Sequence, residues 1–140
     1  MKMKEKEVNK HFSDLAGMGN LTLPSKLSFA ISYNLEKLQK ESERIENERK
    51  KLCEQYADKD DDGKPVMVDS IINGQKTQEY KMSEENRKLF GEEYNELLDT
   101  KVDIEIRKVK NEVVERCEQV DRYTIPSVSQ LFALSFMLEE

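Results

Sequence analysis

Apolar residues repeat along this chain with periods that name its elements. Val8, Phe12 and Leu15 stand at i, i+4 and i+7, one face of an amphipathic helix. They predict a short helix over residues 4–16. Gly17 and Gly19 stop it, so residues 1–20 read as a short N-terminal helix or arm. Leu21 and Leu23 alternate with Thr22 in an extended connector. At Pro24 and Ser25 a helix starts that nothing breaks, since no Gly or Pro falls between Lys26 and Ala57. Ile31, Leu38, Ile45 and Leu52 recur every seven residues, and Leu27, Leu35 and Tyr56 widen the stripe at its two ends. The prediction is a long helix over about 25–57, roughly 48 Å in length at 1.5 Å per residue.

Its two halves differ. From Gln39 to Lys51 only Ile45 is apolar, and Lys40, Glu41, Glu43, Arg44, Glu46, Glu48, Arg49, Lys50 and Lys51 crowd the rest. Glu36 with Lys40 and Glu46 with Lys50 make favourable i,i+4 pairs, worth about 0.2–0.5 kcal/mol each. A helix with so thin a seam packs in an antiparallel hairpin or a coiled coil. The competing reading is that 39–57 projects as a charged helical arm from a single domain spanning 1–140.

Period two takes over next. Val66, Val68, Ile71 and Ile72 lead into Asn73-Gly74, and Gln75 to Met82 follow. Asn-Gly favours a type I′ turn because both central positions need positive φ. A hairpin over about 66–82 follows, with Met67 opposite Tyr80 and Ile71 opposite Lys76. Neither of its faces is cleanly apolar, so it leans on something else. Ser83 caps a helix over about 84–98 whose buried face carries Phe90, Tyr94, Leu97 and Leu98. Val102, Ile104 and Ile106 alternate with charged residues, a strand over about 102–108 and a natural third strand for the hairpin. Asn111 to Val120 make a helical turn or two. Pro126 opens a C-terminal helix over about 126–138, apolar nearly all round and therefore buried in a core or against a partner. The fold class is α+β, mostly α.

Composition narrows the function. The 140 residues carry 29 acidic and 23 basic side chains, a net charge of -6, with 37% charged and 36% hydrophobic residues. Mean hydropathy is -0.82, and no stretch approaches the ~18 apolar residues of a membrane span. Met1-Lys2-Met3-Lys4 runs into charge, not into the apolar core of a secretory signal. Interspersed signs and a negative balance argue against wholesale phosphate-backbone binding. Cys53 and Cys117 have no zinc-type neighbours and read as two free thiols. His11 has no spaced nucleophile or carboxylate pair and reads as a helix-face histidine.

No G-x-S-x-G, H-E-x-x-H or Walker loop occurs, and nothing asks for a cofactor. The most specific local motif is Asp58-Lys59-Asp60-Asp61-Asp62-Gly63. Asp58, Asp60 and Asp62 match positions 1, 3 and 5 of a calcium loop, and Gly63 matches position 6. Position 12 falls on Asp69 in place of Glu, position 8 is Pro65, and a strand follows where an exit helix belongs. These four aspartates are a weak calcium-loop candidate, and an acidic turn is the plainer reading. Lys101 to Lys110 and Arg49 to Lys51 are basic runs flanked by acids. Ile45, Leu52, Leu131, Phe132 and Phe136 are the partner-contact candidates, because one neighbour satisfies one face and the last helix has more than one. Its plainer fate is packing on Leu27, Ile31 and Leu35.

The order long helix, hairpin, returning helix is similar in layout to coiled-coil chaperone subunits such as prefoldin. Leu23-Pro24-Ser25-Lys26-Leu27-Ser28-Phe29-Ala30-Ile31, Asn34-Leu35-Glu36-Lys37-Leu38, Glu48-Arg49-Lys50-Lys51-Leu52, Asp62-Gly63-Lys64-Pro65, Glu96-Leu97-Leu98-Asp99, Ile125-Pro126 and Phe136-Met137-Leu138-Glu139-Glu140 carry a closer likeness. Through them the chain resembles a family of small, uncharacterised phage and prophage proteins of Gram-positive bacteria. The resemblance covers most of 21–140. It implies phage origin and action in the host bacterial cytoplasm, and it brings no catalytic residues. The expectation is a non-enzymatic accessory protein acting by protein–protein contact, as a homo-oligomer or on a host or phage protein, for example a host defence protein. Two alternatives stand beside it. One is an oligomeric binder that sequesters a small nucleotide signal where Arg or Lys meets Tyr or Phe, for instance around Arg122-Tyr123. The other is a virion-assembly or chaperone-like factor.

Overall fold

The computed structural model describes residues 1–139. In chain order the elements are β1 (Lys2–Lys4), α1 (Glu5–Ala16), α2 (Ser25–Tyr56), β2 (Met67–Ile72), β3 (Gln75–Tyr80), α3 (Glu84–Asp99), β4 (Lys101–Asp103), β5 (Val109–Lys110), α4 (Asn111–Gln119), α5 (Val128–Leu134), a 3-10 turn (Ser135–Met137) and β6 (Leu138–Glu139). The fold is mostly α with three two-stranded sheets. Contacts divide the chain into two compact units, one of Met1–Glu43 with the chain from Lys101 on, the other of Arg44–Thr100. Helix α2 runs from the first into the second.

The first unit holds most of the buried apolar side chains. Leu15, Leu27, Leu38, Leu134 and Met137 are fully buried, each contributing about 1.5–3 kcal/mol. Helix α1 buries Val8 and Leu15 and packs on α5. The His11 ring stacks on Phe136, centroids 4.0 Å apart. The first half of α2 buries Leu27, Ala30, Ile31, Asn34 and Leu38, a stripe of period 3.6 with one polar member. That member, Asn34, is wholly enclosed. Its Oδ1 accepts the Arg107 N–H at 2.7 Å, and its Nδ2 donates to the Arg107 carbonyl at 3.0 Å. One side-chain amide thus satisfies both backbone groups of a residue that lies outside any strand. The connector before α2 is tied down in a similar way. The Thr124 N–H donates to the Thr22 carbonyl at 2.8 Å, and the Thr22 N–H to Thr124 Oγ1 at 3.1 Å.

Two elements depart from the pattern of the sequence. The alternation at 102–108 does not make a strand of that length, and it does not join the hairpin. Strand β4 ends at Asp103 and pairs antiparallel with β1, Met3 opposite Val102. Beyond it Ile104 is buried and Ile106 half-buried, so the inward rhythm persists. Ile104 still exchanges hydrogen bonds with Met1, its N–H donating to the Met1 carbonyl at 2.9 Å, and three residues on the Arg107 N–H and C=O go to the Asn34 amide in place of a neighbouring strand. The C-terminal helix is also shorter than 126–138. Ser127 caps it through a capping box, its Oγ accepting the Gln130 N–H at 3.2 Å while Gln130 Oε1 accepts the Ser127 N–H at 2.8 Å. It ends at Leu134, tightens into the 3-10 turn, and continues as β6. That strand lies parallel to β5, with Val109 opposite Leu138. Helical periodicity cannot register a strand of two residues that exists only through its partner.

The second unit follows its sequence pattern closely. Asn73 and Gly74 take φ of 53° and 79°, and the register has Met67 opposite Tyr80, Val68 opposite Glu79 and Ile71 opposite Lys76. The ribbon has no third strand among the described residues. Ser83 Oγ accepts the Asn86 N–H at 3.1 Å and opens α3. This helix returns along the end of α2. Tyr56 Oη donates to Glu93 Oε1 at 2.8 Å, and Asn86 Nδ2 to the Tyr56 carbonyl at 3.2 Å. On α2 the buried row is Ile45 and Cys53, continued by Ala57 just past its end, with Leu52 only half-buried. The strict heptad thus gives way to i,i+4 steps, with Arg49 between, its Nη2 2.6 Å from Glu46 Oε1.

Asn34→Ala leaves a buried N–H and C=O of Arg107 without partners and should cost about 2–4 kcal/mol in urea unfolding. Asn34→Asp should be no better, because a carboxylate oxygen would then face the Arg107 carbonyl; a loss below about 1 kcal/mol in either variant would refute the clamp. His11 is held below its ordinary value of 6.5, chiefly by burial, against the pull of Glu7 and Asp14. The folded state therefore binds fewer protons than the unfolded one, and this contribution is present above pH 6.5 and lost as pH falls through the lower folded value. His11→Phe keeps the stack and removes the titration. Between pH 7 and about 5.5 the wild type should lose stability relative to this variant, and parallel curves would contradict it.

Candidate functional site

One groove of the first unit gathers charge in an unusual way. The opening turns of α2 supply Ser25, Lys26, Phe29 and Ala30. The chain from Arg107 to Val113 and Glu139 of β6 supply the rest of an open cavity of about 650 Å³. Its wall is fixed from behind. Asn34 holds the backbone at Arg107, the β5–β6 pair holds 109–110, and Val109 and Val113 are buried. With Val109 inward, its neighbours Lys108 and Lys110 are exposed.

Arg107 is sided by aromatic rings. Its guanidinium carbon lies 4.8 Å from the centroid of Phe29 and 5.0 Å from that of Tyr33, both within cation–π range. Tyr33 is hydrogen-bonded to Glu105, which raises its phenol above the ordinary value. Lys37 Nζ stands 3.8 Å from the same Glu105 carboxylate and 5.3 Å from the Tyr33 ring. Glu105 therefore has its partners on the Tyr33 side. Among the described residues, Lys26, Arg107, Lys108 and Lys110 have no carboxylate within ion-pair distance. Two carboxylates, Glu112 and Glu139, also line the groove.

A second surface is apolar. Ile125, Val128, Leu131 and Phe132 are 62%, 70%, 41% and 74% exposed. Val128, Leu131 and Phe132 stand at i, i+3 and i+4, so one face of α5 carries them, and Ile125 continues the row. A hollow of about 240 Å³ beside them is lined by Ile125, Pro126, Leu131, Leu138 and Val114 among others.

The other residues singled out in the sequence fall elsewhere. Ile45 is buried inside the second unit and Leu52 half-buried there, and Phe136 is half-buried under His11. Leu27 and Ile31 are buried while Leu131 and Phe132 are open; of the large side chains of α5 it is Leu134 that is enclosed. In the acidic turn Asp60 Oδ1 accepts the N–H groups of Asp62 and Lys64, both at 2.9 Å. The Asp58 backbone bonds to Lys81 and Val66. Asp69 lies on β2 with its carboxylate 3.7 Å from Lys76 Nζ. Among the described residues no three His, Cys, Asp or Glu side chains converge as metal ligands would. Cys53 and Cys117 are free and buried, and burial raises both thiols. Arg122 pairs with its neighbour, Nη2 donating to Tyr123 Oη at 3.0 Å. Among the described residues no helix is long and apolar enough to cross a membrane.

The run Arg107-Lys108-Lys110 is visible in the sequence, but its gathering with Lys26 and Phe29 is not. Those residues are about eighty positions away, on a helix whose periodicity marks them only as outward-facing. No family model, no curated protein and no solved structure matches this chain.

Proposed function

We propose that this is a non-enzymatic binding protein that works by contact with another protein through the exposed face of α5. The observation that carries the reading is the row Ile125, Val128, Leu131 and Phe132, large apolar side chains left open on α5 and on the connector just before it. Contiguous apolar surface of this kind marks interaction sites in folded proteins, and aromatic anchors supply most of the energy of such contacts. A second copy of the chain is the simplest partner, since a two-fold contact needs only one self-complementary patch. In the setting that the phage-family resemblance implies, the alternative partner is a host or phage protein, such as a defence protein or a virion component.

Val128→Ser with Phe132→Asp changes two exposed positions and should shift stability by only about 0.5 kcal/mol. By light scattering near millimolar concentration, the wild type should exceed the monomer mass of 16.4 kDa and the double variant should match it. A wild type that stays monomeric removes self-association. If no binding partner recovered with the wild type is lost with the variant either, the contact reading fails.

A further inference from the structure

We propose that the groove between the first turns of α2 and the 107–113 segment binds a small phosphorylated ligand with a planar body, of the nucleotide class. This site is separate from the α5 face, sharing none of its four exposed apolar residues. Its volume of about 650 Å³ lies within the range of small-molecule sites.

Charge is the first argument. The chain as a whole carries -6, yet Lys26, Arg107, Lys108 and Lys110 line one cavity and make no ion pair among the described residues. Neighbouring cations repel one another, and of the four only Arg107 has a compensating contact, on the rings of Phe29 and Tyr33. An anion in the groove turns that repulsion into attraction.

Pre-organisation is the second argument. The Arg107 backbone is held at both its N–H and its C=O by the buried Asn34 amide. Its guanidinium lies against Phe29 and Tyr33 at 4.8 and 5.0 Å. The rings steady the cation without taking its N–H donors into an ion pair, and arginine grips a phosphate with two parallel bonds. Lys108 and Lys110 add point charges on the same wall. The first turns of α2 and α4 end at the groove and add partial positive charge.

The mixed lining sets the ligand class. Phe29 is 57% exposed at the groove, an aromatic surface for a ring to stack on. Glu112 and Glu139 repel a bare polyanion but accept hydrogen bonds from hydroxyl or amino groups. A nucleotide offers phosphate, ring and such donors together. Pyrophosphate offers only the first, and an extended nucleic acid would meet an acidic chain outside the groove.

The test is titration of the full chain with ATP and GTP, each alone, by calorimetry and by backbone amide NMR at low salt. At least one nucleotide should bind with Kd below about 0.5 mM and shift the amides of 107–113. Lys108→Gln with Lys110→Gln, both exposed, should weaken it about tenfold or more. Phe29→Ala should weaken it several-fold, and pyrophosphate should bind at least about tenfold less tightly than the nucleotide. Any one of four results overturns the proposal: no binding of either nucleotide at about 5 mM; binding indifferent to the lysine variant; pyrophosphate binding as tightly as the nucleotide; or an oligothymidylate of about fifteen residues binding more tightly than either.

Discussion

The pairing of one buried side-chain amide with one backbone residue organises the first unit. Asn34 stands where the apolar stripe of α2 calls for a hydrophobic side chain, and it is fully enclosed. A buried amide is tolerated only when its donors and acceptors are matched. Arg107 matches them from its N–H and its C=O, with Met137 Sδ 3.5 Å from Nδ2 as a further neighbour. The amide acts as a strand of one residue. It holds the chain between β4 and β5, past the pair that Met1 makes with Ile104 at the end of the β1–β4 ladder. It also sets the start of the wall from which Arg107, Lys108 and Lys110 face the groove. Replacing the amide by a hydrophobe would satisfy α2 and orphan the segment it holds.

Stability and charge are divided unequally. The first unit has the fully buried leucines, while the second has Ile45, Cys53 and Ala57 as its buried apolar residues. Its helix α3 buries no residue completely. In the second unit the ribbon shows both faces to solvent, with Ile71 78% exposed, and two-stranded ribbons are marginal alone. Polar contacts add to that small apolar row: Tyr56 on Glu93, Asn86 on the Tyr56 carbonyl, and Arg49 on Glu46, which lowers the carboxyl of Glu46. Exposed ion pairs contribute little each. The acidic turn continues the same economy, since Asp60 bonds two backbone N–H groups of its own loop.

Much of this was legible in the residues. Asn73-Gly74 fixed the turn and with it the register, because positive φ at two successive positions is available at low cost to few dipeptides. The unbroken stretch after Ser25 fixed α2, and Ser83 fixed the start of α3. Both rest on local rules: backbone sterics, helix period, and a hydroxyl three residues from an N–H. The errors lie where a distant partner decides. Val102, Ile104 and Ile106 alternate as a strand does, but alternation does not say whether the hydrogen bonds go to a hairpin, to β1 or to an amide on α2. The apolar run to Leu138 reads as one helix, but β5 draws its last residues into a parallel pair.

The candidate site divides along the same line. The chain by itself determined its helices, its hairpin and its register, because those follow from contacts within a few residues. It also supplied the basic run near Lys108 and the apolar row near Phe132 as compositions without a setting. Only the tertiary structure decided that Phe132 stays open while Leu134 is buried, since burial depends on what α1 covers. Only it brought Lys26 and Phe29 beside Arg107, because the Asn34 amide and the β5–β6 pair act across about seventy and thirty residues, beyond the reach of any local period.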